Sequence, residues 1–344
     1  MIDPHVHCRD WSQSYKETIA HALSIAEKVG ISGIFDMPNT NPPIITKDLV
    51  IKRLKDATKA NSEVFYGIYM GLTSNAEQIK EAVDCYFDLF PKVVGFKMYA
   101  GHSVGNLAVT KEEEQLLVYK TLSKLGYEGV LAVHCEKESL MKPQLWSPLN
   151  PITHSYVRSE EVELESVRDQ INFAKEADFN GNLHICHISS PKSVELVDET
   201  RNNIRISCGV TPHHCILSYE SIQDSPDAIL YKVNPPLRSQ ESVDKMLQYL
   251  FNGKIDLIET DHAPHSLEEK IKNPFMSGFP GLPFIPHFLN LLARKGFSEE
   301  KLLRLTHRNV NDIFGINIPM KDQDIAFNLD SEYEVDVYKN LRER

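Results

Sequence analysis

Two histidines stand two apart in Asp3-Pro-His5-Val-His7-Cys8-Arg9. On an extended strand such residues share a face, so both imidazoles can reach one cation. The spacing also suits two unrelated histidines on a half-exposed strand, and further donors have to decide. They come late in other apolar runs: Lys97 in Gly95-Phe-Lys-Met-Tyr99, His134 in Val133-His-Cys-Glu136, His184 and His187 in His-Ile-Cys-His, and Asp261 in Glu259-Thr-Asp-His-Ala-Pro-His265. His184 and His187, three apart, fall on opposite faces of a strand. His187, nearer the end, is taken to face the centre, and His184 to be packed or hydrogen-bonded on the helix-facing side. A lysine on an apolar strand usually snorkels or pairs with an acid. Burial penalises the charged form of an amine, and a neutral amine can capture carbon dioxide. The resulting carbamate is an anionic bridge for two divalent ions.

Something must bring these scattered donors together. Eight short, β-branched apolar runs occur at residues 2–8, 33–37, 64–70, 93–99, 130–134, 182–188, 204–210 and 255–259, most of them followed by a helix-patterned stretch. Helices are expected over 14–28, 46–59, 75–88, 111–124 and 160–177, several opened by Ser, Thr or Asn caps. That alternation and that count predict an α/β fold, a (β/α)8 TIM barrel, which gathers the carboxyl ends of all its strands at one mouth. An open doubly wound sheet usually shows a glycine-rich phosphate loop after its first strand; here that strand ends in histidines. With no repeat and no Gly/Ser linker, residues 1–310 are read as one catalytic barrel and 311–344 as an acidic carboxyl-terminal appendage, packed outside or partly frayed.

Composition narrows the classes. The 344 residues are 42% hydrophobic and 25% charged, as in an ordinary globular protein, and 37 basic against 48 acidic residues give a net charge of −11. That sign repels nucleic acid and anionic membranes. The amino end does not resemble a signal peptide and no apolar stretch is membrane-length, so the expectation is a soluble, cytoplasmic protein with reduced thiols. Cys8, Cys135, Cys186 and Cys215 each adjoin a histidine. By strand alternation they should point away from the mouth into packing.

His5-Val-His7-Cys-Arg9, Met37-Pro-Asn39-Thr40, Lys97, His134, His187-Ile-Ser189 and Asp261-His-Ala-Pro-His265 together resemble the amidohydrolase superfamily and, within it, the dihydroorotase family. Arg9, Asn234-Pro-Pro-Leu-Arg238 and Gly278-Phe-Pro-Gly281-Leu make the resemblance specific, and it spans most of the chain. It implies that His5, His7, Lys97, His134, His187 and Asp261 hold two zinc ions bridged by carboxylated Lys97, manganese or cobalt being alternatives. It implies reversible hydrolysis of dihydroorotate to N-carbamoyl-L-aspartate in pyrimidine synthesis, with Asp261 moving the proton. Arg9, Asn39, Asn234 and His265 would hold the small-molecule substrate, Arg9 through its planar fork of donors. The segment 101–110 reads as a lid over that substrate, Glu136 as a ligand-orienting or capping residue, and His213 and His214 as support.

Many members of the family flank the barrel with a small β-sandwich. Since this chain starts at the first barrel strand, the sandwich is expected to be absent or vestigial. Two other readings stand beside this one: a hydantoinase or allantoinase sharing the metals, and a catalytically silent barrel serving as scaffold for another pyrimidine enzyme. A homodimer or association with such an enzyme is also open.

Overall fold

The structure is a computed structural model that describes residues 1–103, 107–321, 325–327, 329 and 332–342. Each of the eight apolar runs forms a strand: β1 (Ile2–Val6), β2 (Gly33–Asp36), β3 (Phe65–Gly71), β4 (Val93–Tyr99), β5 (Val130–His134), β6 (Asn182–Ile185), β7 (Ile206–Val210) and β8 (Leu257–Ile258). They pair in parallel in chain order, β1 to β8. The seam is closed by a bridge between Val6 and His262 and by Thr260, whose N–H and hydroxyl donate to Asp3 at 3.1 and 2.5 Å. Burial raises the Asp3 pKa to about 7 against those bonds. No sandwich sheet accompanies the barrel among the described residues.

Helices cover the outside because their apolar faces repeat with helical period. In Ala76–Leu89, Ile79, Ala82, Val83 and Cys85 are buried, and the Asn75 side chain accepts from the Glu77 and Gln78 N–H groups. The first helix starts at Ile19, not at residue 14 as expected from the sequence. Thr18 caps it and the Asp10 carboxylate takes the Ile19 N–H, so the preceding residues are free to form a short 3-10 turn, Trp11–Gln13. Inside the barrel, Ile2, Phe35, Tyr69, Val94, Val130, Ala132 and Leu257 pack together, and Phe314 from the helix Asn309–Phe314 closes the end opposite the mouth.

Two local features aim the mouth residues. In β1 the pairing passes from Asp3↔Ile34 to Val6↔Asp36, so one extra residue is accommodated as a bulge. It changes the phase of the strand, and both Ile2 and the later pair His5 and His7 face inward. Beyond β1, Asp36 accepts from the Cys8 N–H and is itself held by Arg53, at 2.9 and 2.7 Å, and by the Tyr66 hydroxyl. This fully buried cluster fixes the backbone immediately before Arg9.

Where described, the carboxyl-terminal stretch lies against the barrel. The Ala326 N–H donates to the Lys28 carbonyl, the Tyr333 hydroxyl to Glu17, and the Leu267 N–H to Glu334, while the Tyr338 ring stacks on Phe284 at 4.1 Å. Within 101–110, residues 104–106 lie outside the described residues. Val109 donates to the Tyr99 carbonyl at 2.8 Å, which ties the far end of that segment to β4.

Candidate metal and substrate site

The ends of β1, β4 and β5, with the turns after β6 and β8, deliver six buried side chains to one place: His5, His7, Lys97, His134, His187 and Asp261. Asp261 Oδ1 stands 3.3 Å from His5 Nε2 and 3.0 Å from His7 Nε2. His134 Nδ1 faces His187 Nε2 at 3.1 Å. Ligand atoms about 2.0–2.1 Å from a tetrahedral ion lie about 3.3 Å apart, so these separations are close to the edges such a shell would have. Burial, followed by the positive charge of Lys97, lowers the His5 pKa to about 4. His7 and His187 are also held well below their ordinary value, chiefly by burial. Imidazoles kept neutral keep the lone pair a cation needs.

The surrounding bonds decide which nitrogens are left. His7 Nδ1 bonds Asn39 Oδ1 at 2.7 Å and His134 Nε2 bonds Glu136 Oε2 at 2.8 Å, so the opposite nitrogen of each ring is the free donor. Glu136 also receives Arg158 Nη1. Although burial would raise its pKa, Arg158 and His134 bring it down to about 2. With His134 Nε2 committed, its Nδ1 lone pair points at His187, whose Nδ1 is buried without a partner among the described residues. Whichever tautomer His187 adopts, one buried imidazole lone pair has no proton to accept. A cation would satisfy it, and the residues fit a metal centre on that ground.

Lys97 has no carboxylate within 4 Å among the described residues; Nζ instead meets Cys186 Sγ at 2.9 Å. Here the alternation argument fails. His184 and Cys186 both lie inside the barrel, His184 bonded to Ser207 at 2.9 Å and near Glu259 at 3.5 Å. Neither takes the helix-facing position expected of it. The cause is the backbone of His187, at φ 38, which reverses the phase after β6 and lets His187 turn to the mouth as well. Cys8, Cys135 and Cys215 do pack outside the barrel wall. Of the eight non-glycine residues with positive φ among the described residues, three are Arg9, His187 and Asp261. Such strain collects where geometry serves function.

A second donor group, His5, Cys186 and Glu259, lies just beneath. Its carboxylate is already engaged by the His187 N–H and faces His184, so the group acts as a support for the first. Burial would raise the Glu259 pKa, but the facing imidazoles of His184 and His5 outweigh it and keep the carboxylate ionised.

The remaining lining of the cavity includes Arg9, Asn39, Tyr99, Asn234, Ser277 and Gly278. Arg9 Nη2 approaches His265 Nε2 at 3.2 Å and Nε reaches the Pro264 carbonyl at 3.4 Å; Nη1 is buried without a partner among the described residues. No carboxylate lies within 4 Å of this guanidinium among the described residues, so no ion pair with a neighbouring acid holds it there. His265 does not line the cavity. It stands behind Arg9, its Nδ1 3.2 Å from Glu269, and holds the guanidinium in place. Asn39 lines the cavity and also orients His7. Asn234 accepts from His154 Nε2 at 2.8 Å through Oδ1. His214 Nε2 meets the Pro235 carbonyl at 3.1 Å, and His213 Nδ1 the Tyr338 hydroxyl at 3.2 Å.

Sequence reasoning assigned no role to Tyr99 or Glu259. The Tyr99 hydroxyl is buried at the cavity wall without a partner among the described residues. Both were within reach of the alternation rule, since each lies two residues from a residue singled out, Lys97 and Asp261.

No family model matches the chain. It is 33% identical over 334 residues to a dihydroorotase of Methanosphaera stadtmanae, a match that spans 93% of this chain and 71% of that protein. To an allantoinase of Salmonella gallinarum it is 29% identical, across 95% of this chain and 74% of the other. Among solved structures, L-hydantoinase from Arthrobacter aurescens superposes with a TM-score of 0.81 at 24% identity, over 96% of this chain and 73% of that one.

Proposed function

We propose that this chain, which belongs to the dihydroorotase family of the cyclic amidohydrolases, hydrolyses dihydroorotate reversibly to N-carbamoyl-L-aspartate. The observation that carries the reading is Arg9: a buried guanidinium in the cavity wall, beside the cluster of metal donors, with one end of its fork unpaired among the described residues. Such a group calls for an anion, and dihydroorotate carries a carboxylate where hydantoin and allantoin carry none.

His5, His7, Lys97, His134, His187 and Asp261 would hold two divalent ions, zinc on the strength of their nitrogen and oxygen donors, with Lys97 carboxylated to bridge them. Bound there, the ions would lower the pKa of water and polarise the ring amide carbonyl. The chain's own groups do the rest. Arg9, backed by His265 and Glu269, orients the substrate through its carboxylate, and Asn234 meets the ring. Asp261 turns Oδ1 toward both histidines and keeps Oδ2 to accept the proton of the attacking water. It then returns that proton to the ring nitrogen as the carbon–nitrogen bond breaks. Burial raises the Asp261 pKa, which brings the carboxylate nearer to a group that can both take and give a proton.

The test is to assay the zinc-loaded protein with dihydroorotate, hydantoin and allantoin. A charge-assisted bond to Arg9 contributes about 1.5–3 kcal/mol, so kcat/KM for dihydroorotate should exceed the others by about 10- to 100-fold. Preference for hydantoin or allantoin overturns the assignment, and inactivity on all three with full metal occupancy favours the scaffold reading.

A further inference from the structure

Lys270 is fully buried in the short helix Leu267–Ile271 and has no carboxylate within 4 Å among the described residues. Its ammonium instead donates to two backbone carbonyls, Lys232 at 2.8 Å and Gly278 at 2.8 Å. The Phe279 ring lies 5.8 Å from the same amine, and the amine, with no acid to pair with, ties these two carbonyls together through its hydrogen bonds. Both belong to segments that wall the cavity: Lys232 precedes Val233 and Asn234, and Gly278 follows Ser277. The same two segments are joined by three more hydrogen bonds. The Gly278 N–H donates to the Lys232 carbonyl at 2.9 Å, and Lys232 Nζ donates to the Phe275 carbonyl and to Ser277 Oγ at 2.6 and 2.9 Å. Gly278 sits at φ 123, and a Cβ there would come 2.8 Å from Ala263, so the segment is pressed against the turn that carries Asp261. Lys232 also lies 5.3 Å from the Trp146 ring, which packs on Phe275 and His154, the partner of Asn234.

We propose that Lys270 and Lys232 are positioning residues for substrate recognition: together they clamp the Val233–Asn234 and Ser277–Gly278 segments into one rigid wall that meets the substrate ring. Neither amine lines the cavity or bonds a metal donor among the described residues. The clamp sets the distance between the wall and those donors, so it governs how tightly a ring is held and leaves the bond-breaking groups in place. Burial lowers the pKa of both amines, that of Lys232 to about 8, so the contacts of both weaken as pH rises. At Lys232 the groups that act with burial are Arg158, which lowers the value, and Glu136, which raises it.

The proposal rests on this cavity being the substrate site, and two variants test it separately from that reading. Lys270→Met keeps the unbranched stem up to the position of Cε and removes the donors; Lys232→Met does so at a partly exposed position and covers the case in which the first variant does not fold. In each zinc-loaded variant, KM for the cyclic amide that the wild type hydrolyses should rise about tenfold with kcat within about threefold. Zinc content should match the wild type, and amide hydrogen exchange over residues 272–281 should accelerate. A merely structural role would lower the melting temperature and leave KM unchanged. Unchanged KM with unchanged exchange overturns the clamp, as does zinc loss accompanied by a fall in kcat alone. If the wild type hydrolyses no cyclic amide, the substrate reading fails while the exchange rates still decide the clamp.

Discussion

Arg9 is the residue on which the choice of substrate turns, and its value depends on shape as well as charge. Lysine would supply one point of positive charge where the guanidinium supplies a planar fork, and it would leave His265 Nε2 without its present partner. Arg9→Lys should therefore raise KM for dihydroorotate by about 10- to 100-fold with little change in kcat, measured by steady-state kinetics on protein of equal zinc content. A normal KM would remove Arg9 from the substrate grip. Histidines, an aspartate and one apolar-strand lysine were readable from residue types and position alone, because few other arguments place such groups at the ends of apolar runs. His265 and Asn39 were legible as neighbours of the site, but not in their present geometry. Which nitrogen of which ring they hold is a tertiary fact. Cys186 and His184 were misplaced because the alternation rule assumes extended backbone, and His187 leaves it.

At the scale of elements, all eight strands stand where the apolar runs put them, since burial on both faces of a parallel strand leaves a continuous hydrophobic signature. The bulge in β1 was not visible, because a register shift belongs to the pair β1 and β2 and has no composition of its own. The helix over residues 14–28 was read too long at its start, where the Asp10 and Thr18 caps act against any helical extension. One element-level requirement yields a sharp expectation. Gly209 in β7 faces Glu259, and a Cβ at that position would stand 2.7 Å from the carboxylate carbon. Gly209→Ala must push Glu259 away from the His187 N–H and His184. It should lower stability by about 1–3 kcal/mol in denaturant titration and reduce zinc retention on dialysis. Full retention would mean that Glu259 does not support the histidines.

For the whole molecule, closure of the barrel is what turns dispersed residues into a centre: Asp261 and His5 are neighbours only because β8 meets β1 across the seam at Val6 and His262. The described part of the carboxyl-terminal stretch reinforces the same side. Tyr333 and His262 both bond Glu17, at 2.6 and 3.2 Å, and His21 joins Glu17 to Glu332. We propose that this stretch is an appendage that braces the barrel. No helix among the described residues is long and apolar enough to cross a membrane. Anomalous diffraction at the zinc edge, from crystals grown with zinc and bicarbonate, addresses the centre itself. Two peaks should stand at the mouth, one by His5, His7 and Asp261 and the other by His134 and His187, with the Lys97 density extended between them. Zinc bound only elsewhere, or Lys97 unmodified and still against Cys186 beneath an occupied mouth, would contradict the proposed centre.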